Sequence, residues 1–160
     1  MKKNKKQVMF ICSVGGHLTQ MLQLKELFNE YEYVLVTDKT PVTVSMNQKY
    51  NMEYMVYCSR KYKMTYYLKE FVNVIRAIHY LRKYDPDVIV TTGTHTAMPT
   101  CVIAKWMKKK VIYIESFAKN TTPTKSAKYI HEKNVADTLV IQWDTLKDVL
   151  PNSECWGWIY

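Results

Sequence analysis

The chain has 160 residues, 48% hydrophobic and 23% charged, which suits a single globular domain with a full core, spanning residues 1–160. Its 23 lysines and arginines against 14 acidic residues leave a net charge of +9. That balance narrows the candidate partners to anions: nucleic acid, an acidic membrane surface or phosphorylated substrates. The four cysteines, Cys12, Cys58, Cys101 and Cys155, form no C-x-x-C pair, which argues against zinc and thioredoxin chemistry, and no apolar stretch reaches the length of a membrane span.

Residues 1–7 are a basic tail, MKKNKKQ, and the apolar run after it is too short for a signal sequence. Residues 8–12 read as a first buried strand, with Cys12 inside it. Ser13, Val14, Gly15 and Gly16 make a tight turn, and His17 opens LTQMLQLKELF, which has helical spacing. Strand, glycine turn and helix together present backbone N–H groups and a helix N-terminus to an anion, typically phosphate. His17 adds a group able to titrate near neutral pH. A plain strand-to-helix turn is the alternative, since neither the dinucleotide G-x-G-x-x-G nor the Walker lysine pattern is present.

Residues 33–37 and 54–57 read as the next strands. The longest helical pattern, about residues 64–84, sets Leu68, Phe71, Val72, Ile75, Ile78 and Leu81 on one face, read as a core face, and Asp85-Pro86 ends it. Its start mixes Tyr62, Tyr66 and Tyr67 with Arg60, Lys61, Lys63 and Lys69. Strand 88–92 leads into Thr92, Gly93, Thr94 and His95 and then Pro99, a second glycine turn and helix start. This turn suits an anionic or sugar ligand, or else ordinary N-capping by Thr94 or Thr96. In the following helix Trp106 lies among Lys105, Lys108, Lys109 and Lys110. Indole with ammonium groups suits a lipid headgroup boundary; a helix end whose aromatic packs on the core is the alternative.

Strand 111–115 ends in Glu115, and a carboxylate there is seldom placed for packing. It either accepts sugar hydroxyls or pairs with Lys119 or Lys128. The last strand, 139–142, precedes a helix-like WDTLKDVL and an aromatic end with Trp156, Trp158 and Tyr160, which either meets a partner or completes the core. About six strands alternating with helices predict a Rossmann-like α/β domain, its mostly parallel sheet covered on both faces. Ligands then bind at the carboxyl ends of the strands, where the turns converge. No metal or cofactor is expected, and no RNA-binding signature supports nucleic acid as the anion.

Three blocks, in order, resemble a known family: SVGGHLTQMLQL; PDVIVTTGTHTAMPTCVIAKWMKKKVIYIESFAK; and ADTLVIQWDTLKDVLPNSECWGWIY. They are similar to the acceptor-side, membrane-docking subunit of the two-subunit N-acetylglucosaminyltransferase of lipid-linked oligosaccharide synthesis. Bacterial relatives of that subunit serve capsule and exopolysaccharide synthesis. The resemblance covers nearly the whole chain and is weakest from about residue 38 to 80.

It implies the N-terminal half of a MurG-like GT-B glycosyltransferase, peripheral on the cytoplasmic face of the cell membrane. A separate chain supplies the half that binds the nucleotide sugar. It further implies that a rim of Ser13, Gly15, Gly16, Thr92, Gly93, Thr94, His95, Ser116, Lys119 and Lys128 holds the lipid diphosphate of a saccharide acceptor. His17 and Glu115 would then be the catalytic candidates, as general base and acceptor-orienting group. Tyr62, Tyr66, Lys105, Trp106, Lys108 and Lys109 would dock on an anionic membrane. Two departures stand out: the family's usual Arg after E-S-F-A is Lys119 here, and its T-G-K is Ser126-Ala127-Lys128. Lysine keeps the charge but not the bidentate geometry of arginine. A non-catalytic scaffold that enhances a transferase partner, and a stand-alone nucleotide-binding domain, are the rival readings.

Overall fold

The computed structural model describes residues 5–58, 63–93 and 96–159. The described strands are β1 (Gln7–Ile11), β2 (Glu32–Asp38), β3 (Met52–Met55), β4 (Val88–Thr91), β5 (Lys110–Ile114), β6 (Thr138–Ile141) and β7 (Glu154–Cys155). They form one seven-stranded sheet in the order β3-β2-β1-β4-β5-β6-β7, every pair parallel. The helices are α1 (Gly16–Gln23), α2 (Leu27–Glu30), α3 (Pro41–Ser45), α4 (Lys63–Tyr84), α5 (Met98–Trp106) and α6 (Lys125–Glu132). No helix among the described residues is long and apolar enough to cross a membrane.

Alternation along the strands builds two cores. Met9 and Ile11 of β1 face Ala77 and Leu81 of α4, Cys101 and Ala104 of α5, and Ala127 and Ile130 of α6. Val8, Phe10 and Cys12 face the other way, toward Leu18 and Met21 of α1 and Phe28 of α2. A strand buried on both faces reads as an unbroken apolar run, which is why β1, β4 and β6 are visible in the sequence. The seventh strand, β7, is not: it is two residues long, Glu154 and Cys155, and follows the turn at Pro151 and Asn152.

The largest departure from the sequence reading is α4. Apart from Leu81, which is buried, its apolar stripe does not form the core face: Leu68 and Phe71 are each 65% exposed, Ile75 53% and Val72 40%. The buried face runs instead through Asn73, Ala77, Tyr80 and Leu81. Both stripes have helical spacing, and the choice falls to the one that meets the backbone beyond β3. Asn73 accepts from Val56 N–H at 2.7 Å and donates to Val56 O at 3.0 Å, while the Tyr80 hydroxyl and Arg76 both donate to Tyr54 O. Satisfying those backbone groups selects the more polar face, because an unpaired buried carbonyl or N–H costs about 1–3 kcal/mol. The outward side of α4 therefore carries an exposed apolar stripe.

Strand order reverses between β1 and β4, with β2 and β3 on one side and β5, β6 and β7 on the other. Loops after adjacent strands then diverge, leaving a crevice at the carboxyl ends of β1 and β4 where open α/β sheets bind ligands.

Candidate functional site

Two glycine turns meet at that crevice. Gly15 sits at the N-cap of α1 with φ +93°, in the left-handed region that favours glycine, and α1 has no side-chain cap. A Cβ at Gly15 or Gly16 would meet nothing within 4 Å, so the first-turn amides of α1 can be approached from outside. Uncapped N–H groups at a helix start, with the helix dipole behind them, suit an anion. Across the crevice α5 likewise begins without a side-chain cap, at Ala97, whereas the farther α6 is capped by Thr124.

His17 joins the two turns. Its Nδ1 lies 2.6 Å from Thr92 O, and the Thr92 hydroxyl donates back to His17 O at 2.8 Å. A carbonyl can only accept, so Nδ1 carries the proton and the lone pair of the neutral ring resides on Nε2. That is the tautomer of a general base oriented by its second nitrogen. Gly93 makes room for it. It has φ +91°, and a Cβ there would press on the Tyr113 hydroxyl at 3.2 Å and His17 Cε1 at 3.4 Å. Gly93→Ala is expected to destabilise the fold by about 1–3 kcal/mol through left-handed strain. It should also move the His17 imidazole resonances in an NMR spectrum; an unmoved ring would remove the link between that glycine and His17.

Asp38 lies in a turn, Thr37-Asp38-Lys39, that the sequence places on the rim without giving the carboxylate a role. It ends β2, is only 2% exposed, and its carboxylate reaches over the first glycine turn. Oδ2 accepts Val14 N–H at 3.0 Å and Oδ1 accepts the Thr96 hydroxyl at 3.0 Å. The Ser13 hydroxyl donates in turn to Thr96 Oγ1 at 3.2 Å, and Ser13 N–H donates to Gly93 O. The signal that could have found it is the one that singled out Glu115: a carboxylate closing an apolar strand, here EYVLVTD.

Glu115 is fully buried. Its Oε1 accepts Thr124 N–H at 3.1 Å and its Oε2 the Thr124 hydroxyl at 2.9 Å, while Thr124 Oγ1 caps α6 by accepting Ala127 N–H. Gln142 Nε2 donates to Glu115 O at 2.9 Å. The carboxylate thus holds the ends of the loop between β5 and α6. Neither Lys119 nor Lys128 pairs with it among the described ion pairs; both lysines are exposed. Burial pushes the Glu115 carboxyl above its ordinary value, with the Thr124 donors pulling partly back. An acid raised in the folded state binds protons there more tightly than when unfolded. Its contribution to stability therefore falls as pH rises from the ordinary value of 4.5 through the folded one. Glu115→Gln should gain in melting temperature relative to the parent across that rise, and a difference that stays constant with pH would contradict this account.

The remaining candidates are dispersed. Ser13, Thr92 and Gly93 are buried in the crevice, and Gly15 and Gly16 lie exposed on its lip. Ser116 is half-buried, its hydroxyl accepting Ala118 N–H. Thr94, His95 and Tyr62 lie outside the described residues. Of the basic cluster at the end of α5, Lys105 pairs with Asp137 at 2.8 Å and Lys109 with Asp85. Trp106 is 80% exposed and borders a groove of about 540 Å³ between α4, α5 and α6, lined by Tyr66, Val74, Met98, Val102 and Ile103 among others. At the far edge Phe117, Trp143 and Trp158 form an aromatic cluster, with centroids 5.0–5.6 Å apart, beside the loop held by Glu115.

An all-parallel sheet with helices on both faces and a glycine turn at its switch point is a Rossmann-like domain of the kind that forms one half of the GT-B fold. MurG of Acinetobacter baumannii superposes with a TM-score of 0.67 at 16% identity, over 88% of this chain and 42% of that one. UDP-N-acetylglucosamine 2-epimerase of Rickettsia bellii does so at 0.70 and 14% identity, over 97% and 45%. The chain belongs to the family described as "Oligosaccharide biosynthesis protein Alg14 like", which matches residues 8–159. Among curated relatives, human UDP-N-acetylglucosamine transferase subunit ALG14 is 21% identical, over 91% of this chain and 79% of its own length. A Borrelia garinii UDP-N-acetylglucosamine–N-acetylmuramyl-(pentapeptide) pyrophosphoryl-undecaprenol N-acetylglucosamine transferase is 28% identical over 68% of this chain. The chain spans 34% of that enzyme's length.

Proposed function

We propose that this chain is the acceptor-binding and membrane-docking subunit of a split glycosyltransferase in polysaccharide biosynthesis. A separate donor-binding chain completes the enzyme. The reaction transfers a sugar from a nucleotide-diphosphate donor to a lipid-diphosphate-linked saccharide. The observation that carries the reading is the crevice at β1 and β4, where the uncapped start of α1 lies beside a histidine whose Nε2 bears the lone pair. Membership of the Alg14-like family supports the subunit role, and the activities named for its relatives make UDP-N-acetylglucosamine the donor to test first.

In this reading the amides of Gly16 and His17 take the acceptor diphosphate, and Lys119 and Lys128 add charge at the rim. The acceptor hydroxyl attacks the anomeric carbon, its proton passes to His17 Nε2, and the nucleoside diphosphate leaves with the electrons of the broken bond. Glu115 acts through the loop it anchors at Thr124, orienting the acceptor sugar as a positioning group. The apolar face of α4 with Trp106 lies against the anionic cytoplasmic surface of the membrane. The scaffold reading draws on one observation: His17 Nδ1 and both Glu115 oxygens are already engaged within the fold.

The deciding experiment is reconstitution. The chain alone is expected to transfer no sugar from UDP-N-acetylglucosamine to a lipid-diphosphate saccharide, and the chain with its donor-binding partner is expected to do so. Full activity without the partner would overturn the split enzyme.

A further inference from the structure

We propose that Asp38 is a positioning residue that sets the spacing between the two anion-directed turns of the crevice. The ligand it serves rests on the transferase reading; the latch itself does not. A carboxylate only 2% exposed is costly unless its oxygens are satisfied, and two of its donors among the described residues come from different segments. Val14 N–H belongs to the turn that leads into α1, and the Thr96 hydroxyl to the approach to α5. Ser13 extends the chain of hydrogen bonds through Thr96, so one carboxylate grips both turns.

The grip is rigid from behind. Thr43 donates to the backbone oxygen of Asp38 at 2.7 Å, and Thr43 is itself locked in a reciprocal cap with Thr40 at the start of α3. Lys39 N–H donates to Met55 O, which ties the residue after Asp38 to β3. Asp38 therefore does not follow the turns; the turns follow Asp38. Its negative charge would itself repel a bound phosphate, so its place beside the proposed anion site is explained by geometry rather than by attraction. Charge-assisted hydrogen bonds of this kind are the stronger ones, which suits a fixed latch.

Three variants test this: Asp38→Ala removes the latch, Asp38→Asn keeps its shape and one acceptor, and Thr96→Val removes the donor of the α5 side without changing volume. The first measurement needs no partner. Amide NMR of the full chain should show Val14, Gly15, Gly16 and Ala97 shifting together in Asp38→Ala and Thr96→Val, and much less in Asp38→Asn. Titration with inorganic diphosphate should weaken at least fivefold in the first two variants and less than twofold in the third. In the reconstituted enzyme the acceptor KM rises by the same factor while the donor KM is unchanged. Should Asp38→Ala fail to fold, Thr96→Val carries the test. Unmoved amides in Thr96→Val, or equal rises in both KM values, would overturn the latch. Coupled amide shifts in the variants, together with a wild-type chain that binds no diphosphate, would uphold the latch and overturn the ligand reading.

Discussion

His17→Ala in the assembled enzyme is expected to lower turnover by about 10²–10⁴-fold, the usual worth of a positioned general base. Alanine also removes the hydrogen bond to Thr92 O, so a second variant separates chemistry from structure. In His17→Asn the side-chain amide can still donate toward Thr92 O, but nothing replaces Nε2. If His17 is the base, both variants lose turnover alike, and asparagine retains the melting temperature and the partner affinity of the parent. If His17 only ties β1 to β4, asparagine restores activity and alanine does not. That second outcome selects the scaffold reading, in which the partner chain carries all of the chemistry.

Much of this site is legible in the residues because its parts are local. The turn at Gly15 and the turn at Gly93 each announce a backbone that a side chain would strain or block, and each follows a strand buried on both faces. Their meeting follows from sheet order, which alternating strands and helices imply but do not specify residue by residue. The role of Asp38 is illegible for the opposite reason. It lies in bonds to Val14 and Thr96, 24 and 58 residues away, and a terminal aspartate on a strand carries no mark of such partners. Glu115, chosen by the same local sign, turns inward to a threonine rather than outward to the rim. Local chemistry selects the residue type; only the packed fold decides which way it faces. The α4 stripe makes the same point on a larger scale, since periodicity finds an apolar face without saying what it meets.

That exposed stripe changes the expected basis of membrane docking and supports a large effect. Leu68 and Phe71 keep 65% of their surface and Ile75 53%, with Trp106 at 80% near the groove beside them. Full burial of such side chains is worth about 1.5–3 kcal/mol each, so the exposed portions of the three α4 residues offer roughly 3–5 kcal/mol to a bilayer. Every ~1.4 kcal/mol is tenfold in affinity, so replacing Leu68, Phe71 and Ile75 together by serine should weaken vesicle binding about 100-fold or more. Because these side chains contribute little to the core, the melting temperature should hold or rise.

The lysines weigh less than a patch read from sequence suggests. Lys105 and Lys109 are already paired with Asp137 and Asp85, which flank the amino-terminal ends of β6 and β4. Exposed lysines near an anionic leaflet add about 1 kcal/mol each, and salt screens that share. Two assays separate the contributions. In the parent, added salt should weaken binding to anionic vesicles only in part, leaving a residue that persists. In the triple serine variant, the same salt should abolish what remains. Vesicle binding unchanged by the triple substitution would clear the α4 face of any docking role and return the task to Trp106 and to Lys108, which makes no ion pair among the described residues.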